Sequence, residues 1–195
     1  MKYKLDIEDD STGFDGWAFV HFHSPTPGYL LADSLNSLYD YRLARIDDMP
    51  LDDGDWPLYR HEDNVRHMVM FLVERPATLL GEDKLLVIKG KNAAAEAWHI
   101  HTDFATPPDC DEGDLLGQEH ADILGALLAD FTVATMLDFD SVPSSRAAAK
   151  ERLAMQQMCD NMLNYIEQRH LDLTGEELLQ MQQQARKVTG QPHIN

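Results

Sequence analysis

Leu58-Tyr59-Arg60-His61-Glu62-Asp63-Asn64-Val65-Arg66-His67-Met68-Val69-Met70-Phe71-Leu72-Val73-Glu74 is the stretch that decides the fold. Leu58 to His61 and Val65 to Glu74 read as two strands joined around Glu62-Asp63-Asn64, since β-branched, aromatic and apolar side chains flank a short polar turn. A connection this short joins antiparallel neighbours, because a parallel crossover needs a dozen residues or more. An antiparallel sheet is therefore the frame into which the rest of the chain is read.

Outward from this hairpin, Gly16 to His23 (GWAFVHFH) and Leu85 to Gly90 are further strands of the same character. Ala95 to Phe104 reads as the partner strand of Leu85 to Gly90, and Phe131 to Phe139 as a last strand. Lys2 to Glu8 alternates and reads as a first strand, closed by a turn over Glu8 to Gly13. Two helices pack on this sheet. One runs from about Ala32 to Arg45 and carries Leu35, Leu38, Tyr39 and Leu43. The other runs from about Leu115 to Leu128, with His120 on its apolar stripe. Ile46 to Trp56 and Pro107 to Asp114 read as loops, rich in Asp, Pro and Gly.

Pro143 then breaks the chain. Ser144 or Ser145 caps a long helix to about Arg169, striped by Ala148, Arg152, Met155, Cys159, Met162 and Ile166. Thr174-Gly175-Glu176-Glu177 is a capping box that opens a last helix to about Val188. Its narrow stripe is Leu178, Met181, Ala185 and Val188. The expected fold class is α+β: a mostly antiparallel sheet with two packed helices over residues 1–141, then a C-terminal helical hairpin and short tail over residues 142–195.

The chain has 195 residues and a formal net charge of −18. The acid is unevenly spread. Residues 1–55 hold 12 acids against 4 bases, residues 105–142 hold 9 against none, and residues 143–195 hold 6 against 6. Such a field repels nucleic acid and anionic membranes, so neither is expected as a partner. No apolar run has the length of a transmembrane helix, and Met1-Lys2-Tyr3-Lys4-Leu5-Asp6 has no secretory character. Cys110 and Cys159 are far apart and belong to no CxxC pattern, which fits two free thiols in a reducing cytoplasm. Cys110 lies among carboxylates that disfavour its thiolate.

Two HxH pairs are the features closest to chemistry. His21-Phe22-His23 ends one expected strand and His99-Ile100-His101 lies in another. Residues i and i+2 on a strand share a face, so each pair would aim two imidazoles the same way. The candidate metal ligands are therefore His21, His23, His99, His101 and Asp103, and imidazole with carboxylate suits zinc or iron. The opposite reading is that these are ordinary strand histidines. Asp52-Asp53-Gly54-Asp55 and Asp109 to Asp114 lack the glycine and terminal glutamate spacing of a calcium loop. No GxSxG elbow, GxGxxG or GxxxxGK[ST] loop occurs, and whether the chain is an enzyme stays open.

Three functions are compatible with these residues. The first is a non-enzymatic interaction or assembly protein, in which the C-terminal hairpin binds a protein partner or a second copy. The second is a transition-metal protein built on the HxH pairs, with or without catalysis. The third is an acidic mimic of DNA that binds basic proteins.

Overall fold

The computed structural model describes residues 14, 16–51, 54–75, 83–106, 115–139 and 141–189. The expected strand Lys2 to Glu8, the turn after it, the acidic loop Pro107 to Asp114 and Cys110 lie outside the described residues. The fold is α+β, with a fully antiparallel six-stranded sheet at its centre.

The sheet is built from β1 (Trp17–His23), β2 (Ala44–Arg45), β5 (Leu58–Asp63), β6 (Met68–Glu74), β7 (Asp83–Lys89) and β8 (Val133–Met136), in the order β2-β5-β6-β7-β1-β8. The deciding hairpin is β5 and β6, paired from Leu58 opposite Val73 to Asp63 opposite Met68. A separate two-stranded ribbon, β3 (Met49–Leu51) and β4 (Gly54–Trp56), stands where a plain loop is expected.

The apolar runs of β6 and β7 are continuous because both faces of the sheet are covered. Alternate residues divide cleanly. Met68, Met70, Leu72, Leu86, Ile88, Ala18, Val20 and Phe22 face one core. Val69, Phe71, Val73, Leu85, Val87 and Phe19 face the other. The first core is closed by α1 (Gly28–Tyr39), α2 (Ala93–Ala105) and α3 (Leu115–Ala129). The second is closed by the β3–β4 ribbon and by α4 (Arg146–Gln168), which inserts Cys159, Met162, Leu163 and Ile166. The last described element is α5 (Gly175–Thr189).

One element differs in kind from the sequence reading. Residues 95–104 are helix α2, not a strand. The apolar alternation of Trp98, Ile100 and Phe104 suggests period two. However, Ala93, Ala97, Ile100 and Phe104 recur at helical spacing and are the residues that are buried. Alanine is the strongest helix former, and a run of four between positions 93 and 97 overrides the weak strand signal. Gly90 makes the change of direction possible. It has φ +147° as β7 ends, and a Cβ there would lie 2.8 Å from the His67 carbonyl oxygen. The sheet thus carries three helices on its first face rather than two. The helix expected over 32–45 is α1, which starts earlier, at Gly28, and stops at Asp40 in a left-handed conformation.

The helix caps at the C-terminal end are those the sequence names. The Ser145 hydroxyl accepts from the Ala148 N–H at 3.1 Å. Thr174 and Glu177 form the reciprocal box, with Thr174 N–H donating to Glu177 Oε2 at 2.8 Å and Glu177 N–H to Thr174 Oγ1 at 3.3 Å.

Candidate functional site

The second face of the sheet carries a groove of about 840 Å³ between α4 and the β3–β4 ribbon. Helix periodicity in α4 explains its form. Cys159, Met162, Leu163 and Ile166 point into the sheet and are buried. Met155, at the N-terminal end of the same stripe, forms a floor with Trp56, Leu51 and, one stripe further round, Met158 and Tyr165. Gln157, Asn161, Asn164 and Gln168 follow at 4-3-4 spacing and form an amide wall. The helical stretch from Glu151 to Gln168 gives the groove a length of about 25 Å at 1.5 Å per residue.

The chemistry of this surface suits recognition. Methionine side chains repack to fit varied apolar shapes. Neutral amides both donate and accept hydrogen bonds and do not demand a charged partner. Glu151 and Arg75 are the charged groups along it. At the ribbon end the floor continues past Trp56, Met155 and Met158 to a small recess beside His21 and Asp83. The buried Cys159 thiol beneath α4 is pushed up to about 12, by burial first and by Asp160 next, so it is no nucleophile.

The expected metal ligands fall into two groups. His21 and His23 share a face of β1, as anticipated. Both approach the same Asp83 oxygen, His21 Nε2 at 3.1 Å and His23 Nδ1 at 3.5 Å. That face belongs to the second core, with Phe19. His99 and His101 are on α2, against the first core. The sheet therefore separates the two pairs, and they do not converge on one ion. Two positions along a helix also point about 200° apart, so His99 and His101 diverge from each other. Among the described residues, no group of three or more His, Cys, Asp or Glu is arranged to hold a metal.

His99 and Asp103 do meet, with His120 rather than His101. His99 Nε2 is 3.7 Å and His120 Nε2 3.9 Å from Asp103 Oδ2, which also accepts from the Tyr39 hydroxyl at 3.1 Å. This cluster ties α1, α2 and α3 together. Burial and the nearby Asp103 carboxylate raise the Tyr39 hydroxyl far above its ordinary value, so it stays a donor. Tyr41 stacks on Tyr39, donates to Glu96 and lies against His61. Burial holds His61 below its ordinary value, and its Nδ1 accepts from the Arg42 N–H at 3.0 Å, which fixes the neutral ring. His101 Nδ1 lies 3.0 Å from the Ala134 carbonyl, so that nitrogen carries the proton. The Leu137 N–H bonds to the Phe19 carbonyl, and alternation along the ladder then turns the Ala134 backbone away from β1.

The base of α5 is held by β5 and β7. Arg60 donates to the Leu171 and Leu173 carbonyls, each at 2.9 Å. Glu62 Oε1 accepts from the Gly175 N–H at 2.7 Å, a carboxylate placed at a helix N-terminus. Lys89 Nζ pairs with Asp172 at 2.6 Å. Burial draws the Glu62 carboxyl upward, but the Gly175 N–H and the Arg60 guanidinium outweigh it and hold the group below its ordinary range. Beyond this base, every described side chain of α5 is exposed except Leu178, which is half-buried.

Comparison with protein families, with curated proteins and with solved structures gives no match. The residues of the site therefore stand on their own geometry. Trp56 and Leu51 escape the sequence reading because they sit in a stretch that looks like loop. The amide spacing of Gln157, Asn161, Asn164 and Gln168 is visible in the sequence and is the signal that marks the groove wall.

Proposed function

We propose that this chain is a non-enzymatic interaction protein whose α4–ribbon groove binds an amphipathic helix. The observation that carries the reading is the groove itself. It is about 840 Å³ in volume, long and open, floored by Met155, Met158, Tyr165 and Trp56 and walled by uncharged amides. Helix-in-groove recognition uses this combination, with apolar anchors at i, i+3, i+4 and i+7 set on an adaptable floor. A surface with few charges inside a −18 molecule also matches the depletion of charge found at interface cores. No helix among the described residues is long and apolar enough to cross a membrane. The reading places the protein in the reducing cytoplasm, where a buried, protonated Cys159 would persist as a free thiol.

The test is a selection of displayed helical peptides on the intact chain, counter-screened on Asn161→Glu. Asn161 is exposed, so this change adds charge to the groove without entering the core. Enrichment of amphipathic sequences that the variant no longer binds is the expected result. If nothing enriches, or binding ignores Asn161→Glu, the groove is not a recognition site.

A further inference from the structure

We infer that the helix bound in the groove is α5 of a second copy of this chain, so that two copies exchange their last helices reciprocally. This rests on the groove reading above and names its occupant. Three observations carry it.

The first is fit. α5 has 15 residues, about 22 Å at 1.5 Å per residue, and the groove it would fill is about 25 Å long. Leu178, Met181 and Ala185 lie on one side of α5, with Leu178 half-buried at its base and Met181 and Ala185 exposed. Leu179 and Met181 are among the exposed large apolar side chains of the molecule. Among the described residues, none of α5 lines its own groove.

The second is mechanical. The base of α5 is fixed by Arg60, Glu62 and the Thr174–Glu177 box, yet the side chains from Leu179 to Ala185 are exposed. A helix of this size is marginal in water unless an apolar face is covered. Several hydrogen bonds thus orient a helix whose described side chains are mostly exposed.

The third is charge. Two copies at −18 repel each other over most of their surface. Residues 143–195 carry equal numbers of acids and bases, and both the groove wall and the middle of α5, Gln180 to Gln184, are amide-rich. These are the surfaces that two such copies can bring together at least electrostatic cost. Exchange of one helix for the other is self-complementary, and it closes at two copies.

The experiment uses the full chain with Cys110→Ser. Met181→Cys and Asn161→Cys are made separately and treated with a short-spacer bismaleimide, alone and as a one-to-one mixture. The expected result is a covalent dimer in the mixture and none in either variant alone. In parallel, sedimentation of the unmodified chain is expected to show a dimer at tens of micromolar. Met181→Glu, at an exposed position on the docking side of α5, is expected to weaken it about tenfold or more. A dimer cross-linked by Met181→Cys alone would mean that α5 pairs with α5, and overturns the inference. A monomer at hundreds of micromolar also overturns it. If that monomer still selects groove-dependent peptides, the groove reading survives and only its occupant is wrong; if it selects none, both fall.

Discussion

At the scale of single residues, the histidines divide by the hydrogen bonds they make. His61 is held neutral by burial and by the Arg42 N–H. Its folded pKa is below its unfolded value of 6.5. The unfolded chain therefore binds the proton more readily, and the stability His61 contributes is present above that value and lost as the pH falls through its folded pKa. Urea midpoints taken on either side of pH 6.5 are expected to fall toward acid, and His61→Asn, which keeps an acceptor for Arg42, is expected to reduce that fall. An unchanged slope in the variant would remove His61 as the cause. Cys159 makes a second prediction at this scale: native protein treated with iodoacetamide at neutral pH keeps Cys159 unmodified by peptide mass mapping, and unfolded protein does not. The sequence placed Cys159 correctly, because its neighbours Met155, Met162 and Ile166 share its helical stripe. It could not place His99 with His120, since that contact joins two helices across a stretch that no local pattern describes.

At the scale of elements, the legible parts were those whose local signals agree. The β5–β6 hairpin, the Ser145 cap and the Thr174 box all have turn or cap residues at the positions their geometry needs. Residues 95–104 were misread because alternation over a few aromatic residues competes with an alanine run, and only burial of Ala93 and Ala97 against the sheet decides between them. The anchor of α5 on Glu62 was invisible, for it spans 113 positions of sequence. It now yields a prediction. Thr174→Ala removes a cap worth about 1 kcal/mol. Amide exchange over 175–185 is expected to quicken while β6 and β7 stay protected. Acid should act in the same way. The Glu62 pKa is lower in the folded state than its ordinary 4.5, so its contribution holds above that value and disappears as the pH drops through the folded pKa. Gly90 makes a converse case at the other end of β7. Gly90→Ala forces a side chain onto the His67 carbonyl at a positive φ, and is expected to cost more than about 1 kcal/mol of global stability by urea denaturation. A neutral result would mean that the turn relaxes freely.

At the scale of the whole molecule, the arrangement is a sheet clothed on both sides, with acid concentrated in the first 55 residues and in 105–142, and a neutral C-terminal pair of helices. Raising the salt concentration should separate the two contributions to self-association. Screening relieves repulsion between like-charged copies and hardly alters contact between amides and methionines. The proposed dimer is therefore expected to tighten as salt rises from low to physiological strength, followed by sedimentation. Weakening with salt would point instead to ion pairs as its basis.

The proton on His101 has a consequence at a larger size still. A strand at the end of a sheet exposes unpaired carbonyls that invite another chain to add on, and repeated addition makes fibrils. At β8 the outward Ala134 oxygen is already engaged by His101, and at the opposite end β2 has two residues, too few to template a neighbour. Growth strand by strand is thus discouraged at both ends of the sheet. The His101 imidazole thus covers an edge carbonyl that would otherwise be open to an added strand.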